Sequence, residues 1–101
     1  MDFKPQLIKE TLNRLSSMLD ASIKDIYGKR FYPIRVEVFV PTVSAEQTEE
    51  ISKIYFPVKV YRGSALKLQR TITLNVYSSY WEEDDFWAHM QQQMIHSLRH
   101  D

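Results

Sequence analysis

The sequence predicts one α+β domain of two layers: an antiparallel three-stranded sheet with both helices on one of its faces. A length of 101 residues favours a single domain, taken as residues 1–101. Apolar residues recur with helical spacing near both ends of the chain, and between them the apolar period changes to two. The resulting order, helix–strand–strand–strand–helix without an internal repeat, is typical of a two-layer sandwich, because each strand has one apolar face for the helices to cover.

The first helix is predicted to span about 22 residues, roughly 33 Å, ending at Gly28. Asp2 is expected to cap its start, and Pro5 is tolerated in a first turn. Its apolar stripe, at steps of three and four, consists of Ile8, Leu12, Leu15, Leu19, Ile23 and Ile26.

The first strand is predicted to follow Phe31, bracketed by Pro33 and Pro41. Its inward side chains are Ile34, Val36, Val38 and Val40, and its outward ones are Arg35, Glu37 and Phe39. The polar residues 41–53 are predicted to form a loop, within which Ser44–Gln47 has the spacing of a capping box and suits one helical turn.

The second strand is predicted around Pro57, with Ile54, Phe56, Val58 and Val60 on its inward face. Because proline cannot donate to a ladder, this strand is expected to be a sheet edge or to carry a bulge. The third strand, residues 66–77, has the inward positions Leu66, Leu68, Ile72, Leu74 and Val76, with Arg70 as the exception.

Parity constrains the hairpin between these two strands. Directly opposite residues share a face, so Val60 is expected opposite Leu66, and Val58 opposite Leu68. A two-residue turn at residues 63–64 would instead pair Val60 with Lys67. The sequence therefore predicts a loop of three or five residues, or a bulge.

The last helix is predicted to begin within the stretch YSSYWEEDDFW, residues 77–87. Ser79 and Glu82 have capping-box spacing, and the carboxylates of residues 82–85 suit the positive end of the helix dipole. A metal or acid site is disfavoured, because successive helical side chains diverge by about 100°. Trp81 lies off the apolar stripe and is predicted to contact a partner. The stripe consists of Phe86, Trp87, Met90, Met94 and Leu98, with Ile95 beside it.

His89, His96 and His100 share one side of this helix. His96 and His100 have the i, i+4 spacing of a transition-metal chelate, but a solvated face is the simpler interpretation. No nucleophile motif is present, the chain lacks cysteine, and Gly28 and Gly63 are its only glycines, too few for a phosphate-binding loop. The protein is therefore predicted not to be an enzyme, with no cofactor, metal or small-molecule substrate.

A cytoplasmic location is expected. The sequence has no basic-then-apolar start and no apolar run near the ~18 residues of a membrane helix, so no membrane partner is predicted. The absence of cysteine fits a reducing compartment.

Charge is zero overall but unevenly distributed. Residues 29–70 carry eight basic and four acidic groups, whereas residues 71–101 carry one basic and five acidic groups. Such asymmetry allows copies of one chain to pair head to tail. The protein is accordingly predicted to bind protein, chiefly other copies of itself, with Lys59, Lys67 and Arg70 near Glu83 and Asp84 of a neighbour.

The outward sheet face mixes basic and aromatic side chains, which suits a protein interface, an ordinary solvated sheet or single-stranded nucleic acid. Nucleic-acid binding is the alternative function. The element order is that of a double-stranded-RNA-binding domain, but the acidic start of the last helix would repel phosphate. The predicted interface comprises Arg35, Phe39, Tyr55, Lys59, Tyr61, Lys67, Arg70, Tyr77, Trp81, Glu83 and Asp84.

The last part of the chain resembles the tail-terminator and head–tail joining proteins of tailed bacteriophages. The resemblance is carried by ITLNVYSSYWEEDDFWAHMQQQMIHSL, residues 72–98, where the pair Val76–Tyr77 ends a strand and an acidic helix follows. It implies a ring-forming structural protein without catalytic activity. The uneven charge of the chain suits such a ring, with the basic sheet of one subunit meeting the acidic helix start of the next.

Overall fold

The computed structural model describes residues 7–44, 51–77 and 82–99. They form a small α+β structure of two helices and an antiparallel four-stranded sheet, one strand more than the sequence predicts. In chain order the elements are α1 (Lys9–Tyr27), β1 (Ile34–Val38), β2 (Thr42–Ser44), β3 (Ile51–Arg62), β4 (Ala65–Tyr77) and α2 (Glu83–Arg99).

Strand β3 is the central strand. It pairs along its whole length with β4 on one side, and with β1 and then β2 on the other. The sheet edge predicted from Pro57 is therefore wrong, whereas the alternative, a bulge, lies beside it in the segment between β1 and β2. The Pro57 carbonyl accepts a hydrogen bond from the Phe39 N–H at 2.9 Å. In an antiparallel strand, the N–H and the carbonyl of one residue point toward the same neighbouring strand. The N–H that Pro57 lacks would therefore point toward the break between β1 and β2, and no hydrogen bond between β3 and β4 is lost.

The additional strand, β2, lies within residues predicted to be a loop. Val38 is opposite Val58 and Thr42 is opposite Tyr55, so three residues on one side of the break face two on the other. This bulge turns Val40 outward, where it is 87% exposed, instead of inward as its alternation predicts. Ser44 ends β2, and the rest of the predicted helical turn lies outside the described residues.

Prolines limit β1 at both ends. At one end the Gly63 N–H donates to the Pro33 carbonyl at 2.8 Å, and at the other the Phe39 N–H donates to Pro57. In a regular antiparallel ladder each of these residue pairs would exchange two backbone hydrogen bonds. Because proline has no N–H, each pair forms only one. The regular ladder between β1 and β3 is therefore confined to residues 34–38.

The β3–β4 hairpin combines a two-residue turn with a bulge, which confirms the bulge predicted from parity. Gly63 adopts φ +61° in the turn, and the register shifts so that Lys67 is the extra residue and Val60 is opposite Leu68. The predicted pairings of Val60 with Leu66 and of Val58 with Leu68 are wrong, since Val58 is opposite Arg70. Leu66 is opposite Tyr61 on the outward face and is 48% exposed, because the bulge reverses the alternation of the side chains before it.

The core lies between the sheet and the two helices, which cover the same face. Arg14 reaches Trp87 near the helix starts, and Tyr27 reaches Leu98 near the helix ends, so α1 and α2 run side by side in the same direction. Neither of these two helices is long and apolar enough to cross a membrane. The buried side chains are Leu15, Leu19, Ile23, Ile54, Phe56, Val58, Val60, Ile72, Leu74, Val76, Phe86, Met90, Met94 and Leu98.

The helix ends agree only partly with the predictions. Gly28 follows α1 as expected, and Asp2 and Pro5 lie outside the described residues. Helix α2 begins at Glu83, and Glu82 lies in a bend before it. A cap at Ser79 would require the helix to begin earlier in the chain. Ser79 itself lies outside the described residues.

Two side chains satisfy carbonyls in the last turn of α2, where a helix leaves its acceptors without intrahelical partners. The Tyr27 hydroxyl donates to the Leu98 carbonyl and Arg70 Nη2 donates to the Ser97 carbonyl, both at 2.7 Å. Strand β4 and helix α1 are thereby both tied to the end of α2.

Candidate assembly surface

The outward face of the sheet begins with a directly opposed pair, Arg35 on β1 and Tyr61 on β3. The Arg35 guanidinium carbon lies 3.9 Å from the centre of the Tyr61 ring, and its Nη1 is 2.9 Å from a carboxylate oxygen of Glu37. An exposed cation–π contact of this kind contributes about 0.5–1 kcal/mol and, together with the ion pair, holds the arginine over the ring. The arginine therefore covers one face of the ring and places its positive charge directly above it.

Lys59 occupies the middle of this face. It is opposite Glu37 on β1 and opposite Gln69 on β4, and its ammonium lies 5.6 Å from the centre of the Phe39 ring. A shallow depression adjoins it, lined by Phe39, Pro57, Lys59, Gln69, Arg70 and Thr71. The depression is apolar at Phe39 and Pro57 and basic at Lys59, which suits an aromatic or acidic side chain of a partner.

The remaining predicted outward residues extend the surface along the sheet. Tyr55 is half-buried and opposite both Thr42 and Thr73, and Tyr77 ends β4 with 38% exposure. Lys67, the extra residue of the bulge, is exposed at the hairpin end. The structure therefore brings the predicted aromatic and basic strand residues onto one face, apart from Arg70.

Arg70 lies on the other side of the sheet. Its guanidinium is part-buried and donates to the Ser97 carbonyl of α2, so its positive charge faces the helix layer, although the residue also lines the depression beside Lys59. Trp81, the other aromatic residue predicted to meet a partner, lies outside the described residues.

The acidic residues lie at the start of α2, in the helix layer. Glu83, Asp84 and Asp85 occupy the first turn and are exposed, as predicted. One carboxylate oxygen of Glu83 accepts a long hydrogen bond, 3.4 Å, from the Trp87 indole N–H. Glu83 therefore points toward the junction with α1.

The two surfaces carry opposite charge. Among the described residues, the outward sheet positions include four basic side chains, Arg35, Lys53, Lys59 and Lys67, and the acid Glu37. The start of α2 carries only acids, residues 82–85. A single chain thus presents a basic, aromatic sheet face and an acidic helix start on opposite layers.

The histidine side of α2 faces the free edge of β4. His89 and His96 line a second groove together with Thr73 and Asn75. Within residues 7–44, 51–77 and 82–99 no three His, Cys, Asp or Glu side chains are grouped as metal ligands would be. His100, the partner of His96 in the chelate spacing, lies outside the described residues.

Two contacts in the structure were not predicted from the sequence. The Arg35–Glu37 ion pair joins residues two apart on one strand, and period-two alternation could have indicated it because both are outward positions. The contact of Arg14 with Trp87 joins two helices whose relative direction no sequence spacing reveals.

No family model, no curated protein and no solved structure matches this chain. The resemblance to phage tail-terminator proteins stays a prediction.

Proposed function

We propose that the protein is a non-enzymatic assembly module that associates with copies of itself, the outward sheet face of one copy receiving the acidic helix start of the next. The observation that carries the proposal is the separation of charge between these two exposed surfaces. A contact between different surfaces is heterologous, so repetition gives a ring if it closes and a filament if it does not. A ring is the form that the phage resemblance implies.

The residues suit this role in two ways. The face around Lys59 combines cations with the rings of Phe39 and Tyr61, and aromatic residues and arginine are enriched in the cores of protein interfaces. Single exposed ion pairs contribute only about 0.2–1 kcal/mol, so several charge contacts and the aromatic area must supply the affinity together. The charges select the orientation and increase the association rate.

Salt titration tests the proposal. Sedimentation velocity and light scattering would follow the average mass between about 0.1 M and about 1 M NaCl, where the Debye length shrinks from roughly 10 Å to roughly 3 Å. We expect assemblies at low salt that dissociate as salt rises. Lys59→Glu should weaken assembly, whereas Lys9→Glu, the same charge change on an exposed position of α1, should not. A wild-type protein that is monomeric at low salt and high concentration would contradict the proposal.

Nucleic-acid binding is the second candidate, favoured by the two cation–ring contacts on an open sheet. Arg35 over Tyr61 and Lys59 near Phe39 form stacking positions next to positive charge, the combination that single-stranded nucleic acid binds. A gel shift with single-stranded oligonucleotides at low salt tests it. Binding that is lost with Tyr61→Ala and with rising salt would support this function, and no shift at low salt would dismiss it.

A further inference from the structure

A groove runs between α1 and α2 on the side of the helix layer away from the sheet. Its floor is formed by half-buried apolar side chains, among them Met18, Ile26, Trp87 and Ile95. The small exposed residues Ala21 and Ala88 also line it. Small side chains allow another helix to approach closely, so the groove is shaped for helical packing.

The two ends of the groove carry opposite charge patterns. At the end where the helices start, Arg14 lies over the Trp87 ring at 3.8 Å and Glu83 contacts the indole N–H of the same residue. At the end where the helices finish, the groove is lined by Asp25 on α1 and Arg99 on α2. From its start to its end, α1 therefore carries a basic and then an acidic side chain at the groove, whereas α2 carries an acidic and then a basic one.

The charge pattern of each helix is complementary to that of the same helix running in the opposite direction. We infer that the groove is a two-fold interface, in which α1 packs antiparallel on α1 of a second copy, and α2 on α2. The rotation axis then lies in the plane of the interface and crosses the helices. Arg14 of each copy meets Asp25 of the other, and Glu83 of each meets Arg99 of the other.

The helix contacts place the centres of the two charge pairs at the same height, as a single two-fold axis requires. The centre between Arg14 and Asp25 lies between positions 19 and 20 on α1, and the centre between Glu83 and Arg99 is Gln91. Arg14 lies beside Trp87, and Tyr27 beside Leu98, which places positions 19 and 20 of α1 beside residues 91–92 of α2. Both centres therefore lie at the same height along the helices.

A second copy fits the groove better than an unrelated helix does. An unrelated partner has no reason to match four charges that reverse about a single centre, whereas an isologous interface requires this pattern. Antiparallel helices also place opposite dipole ends together. The interface goes beyond the proposed sheet-face assembly, because it joins like surfaces and closes at two copies.

Two charge-reversal variants test the inference when they are mixed. In a pair of Arg14→Glu chains, the introduced carboxylate of each copy meets the Asp25 carboxylate of the other. In a pair of Asp25→Lys chains, the introduced ammonium of each copy meets the Arg14 guanidinium of the other. The alternative arrangement is parallel packing, with α1 of one copy on α2 of the other, so that Arg14 meets Glu83 and Asp25 meets Arg99. A mixed pair would then keep one contact between two acids and one between two bases, and mixing would bring no recovery.

With antiparallel packing, the carboxylate introduced at position 14 of one chain meets the ammonium introduced at position 25 of the other. The second contact of the mixed pair joins the native Arg14 of one chain to the native Asp25 of the other. Every contact then joins opposite charges. We expect each variant alone to dissociate about tenfold more readily than the parent and the equimolar mixture to recover most of the loss. Both variants would carry Lys59→Glu, so that sheet-face assembly does not contribute.

Sedimentation equilibrium measures the masses, and native mass spectrometry with one isotope-labelled variant counts mixed pairs. Ala21→Lys, near the axis, should also prevent pairing, whereas Ser17→Lys, exposed on α1 outside the groove, should not. Preference for mixed pairs supports the interface. Variants that pair as the parent does, a mixture that pairs no better than its components, or a Lys59→Glu parent that is monomeric at every concentration would overturn it.

Discussion

Gln93 on α2 bonds to the backbone of Asn75 on β4 as a neighbouring strand would. Its side-chain oxygen accepts from the Asn75 N–H at 2.7 Å, and its side-chain nitrogen donates to the Asn75 carbonyl at 2.8 Å. Asn75 is opposite Lys53 in a pair whose backbone groups face away from β3, so these groups belong to the free edge of β4. Helix α2 thus covers this part of an edge that would otherwise be available for strand addition.

Gln93→Ala should lower the free energy of unfolding by about 1–3 kcal/mol, because it leaves a part-buried donor and acceptor of Asn75 without this partner. Gln92→Ala is the matched control, since Gln92 is exposed on the same helix. Urea unfolding followed by circular dichroism measures both. Equal midpoints for the two variants would show that the side-chain amide does not contribute to holding the edge.

Gln93→Glu separates the two bonds. A carboxylate still accepts from the Asn75 N–H but cannot donate, and it places negative charge against the Asn75 carbonyl. We expect a loss of stability at least as large as that of Gln93→Ala at neutral pH, measured by the same urea unfolding. A Gln93→Glu protein as stable as the parent would mean that the bond to the carbonyl contributes nothing.

The contact between Tyr27 and the last turn of α2 leads to a second prediction. Tyr27→Phe removes the hydroxyl that donates to Leu98 but keeps the ring, which stacks on Phe31 at 5.5 Å. The expected loss is about 0.5–1.5 kcal/mol, the net contribution of one hydrogen bond. Tyr32→Phe is the control, because Tyr32 is 75% exposed. A thermal melt in which both variants match the parent would exclude a role for the hydroxyl as a helix cap.

The buried side chains could be predicted from the sequence because hydrophobic burial follows periodicity. The inward residues of β3, from Ile54 to Val60, are buried as predicted, and so are Leu15 and Leu19 in the stripe of α1. These positions depend only on the period of their own element, which the sequence displays directly.

The residues whose positions were wrongly predicted depend on the order and register of neighbouring strands. Pro57 indicates that its strand lacks one N–H donor, but the sequence does not reveal which neighbouring strand this missing N–H would have faced. In the structure it would have faced the break between β1 and β2. Val40 and Leu66 face outward because of bulges, each of which inserts one residue and reverses the alternation locally. The helix groove depends on the relative direction of α1 and α2, which is a tertiary property.

The bulge at Lys67 leads to a third prediction. Deleting Lys67 leaves Val60 opposite Leu68 and joins that pair to the two-residue turn through a regular ladder. The change in unfolding free energy should therefore stay within about 1 kcal/mol. Deleting Thr73 instead turns Leu74 and Val76 out of the core and should prevent cooperative unfolding. Amide exchange and denaturant melts distinguish the two deletions, and a Lys67 deletion as damaging as that of Thr73 would contradict the register.

The pair formed by Glu37 and Lys59 leads to a fourth prediction, on the proposed sheet-face assembly. Lys59→Glu places two carboxylates directly opposite each other, which should cost roughly 0.2–1 kcal/mol of stability in addition to weakening assembly. Adding Glu37→Lys restores an opposite-charge pair across the strands and returns the face to its original net charge.

If assembly depends on the net positive charge of the face, the double variant should regain salt-sensitive association while Lys59→Glu alone does not. Light scattering at low salt measures association, and urea unfolding of each variant separates it from loss of fold. Glu37→Lys alone makes the face more basic and should associate at least as strongly as the parent. A double variant that is stably folded but does not assemble would show that assembly depends on specific contacts of Glu37 or Lys59, the Arg35–Glu37 ion pair among them, and not on the net charge of the whole face.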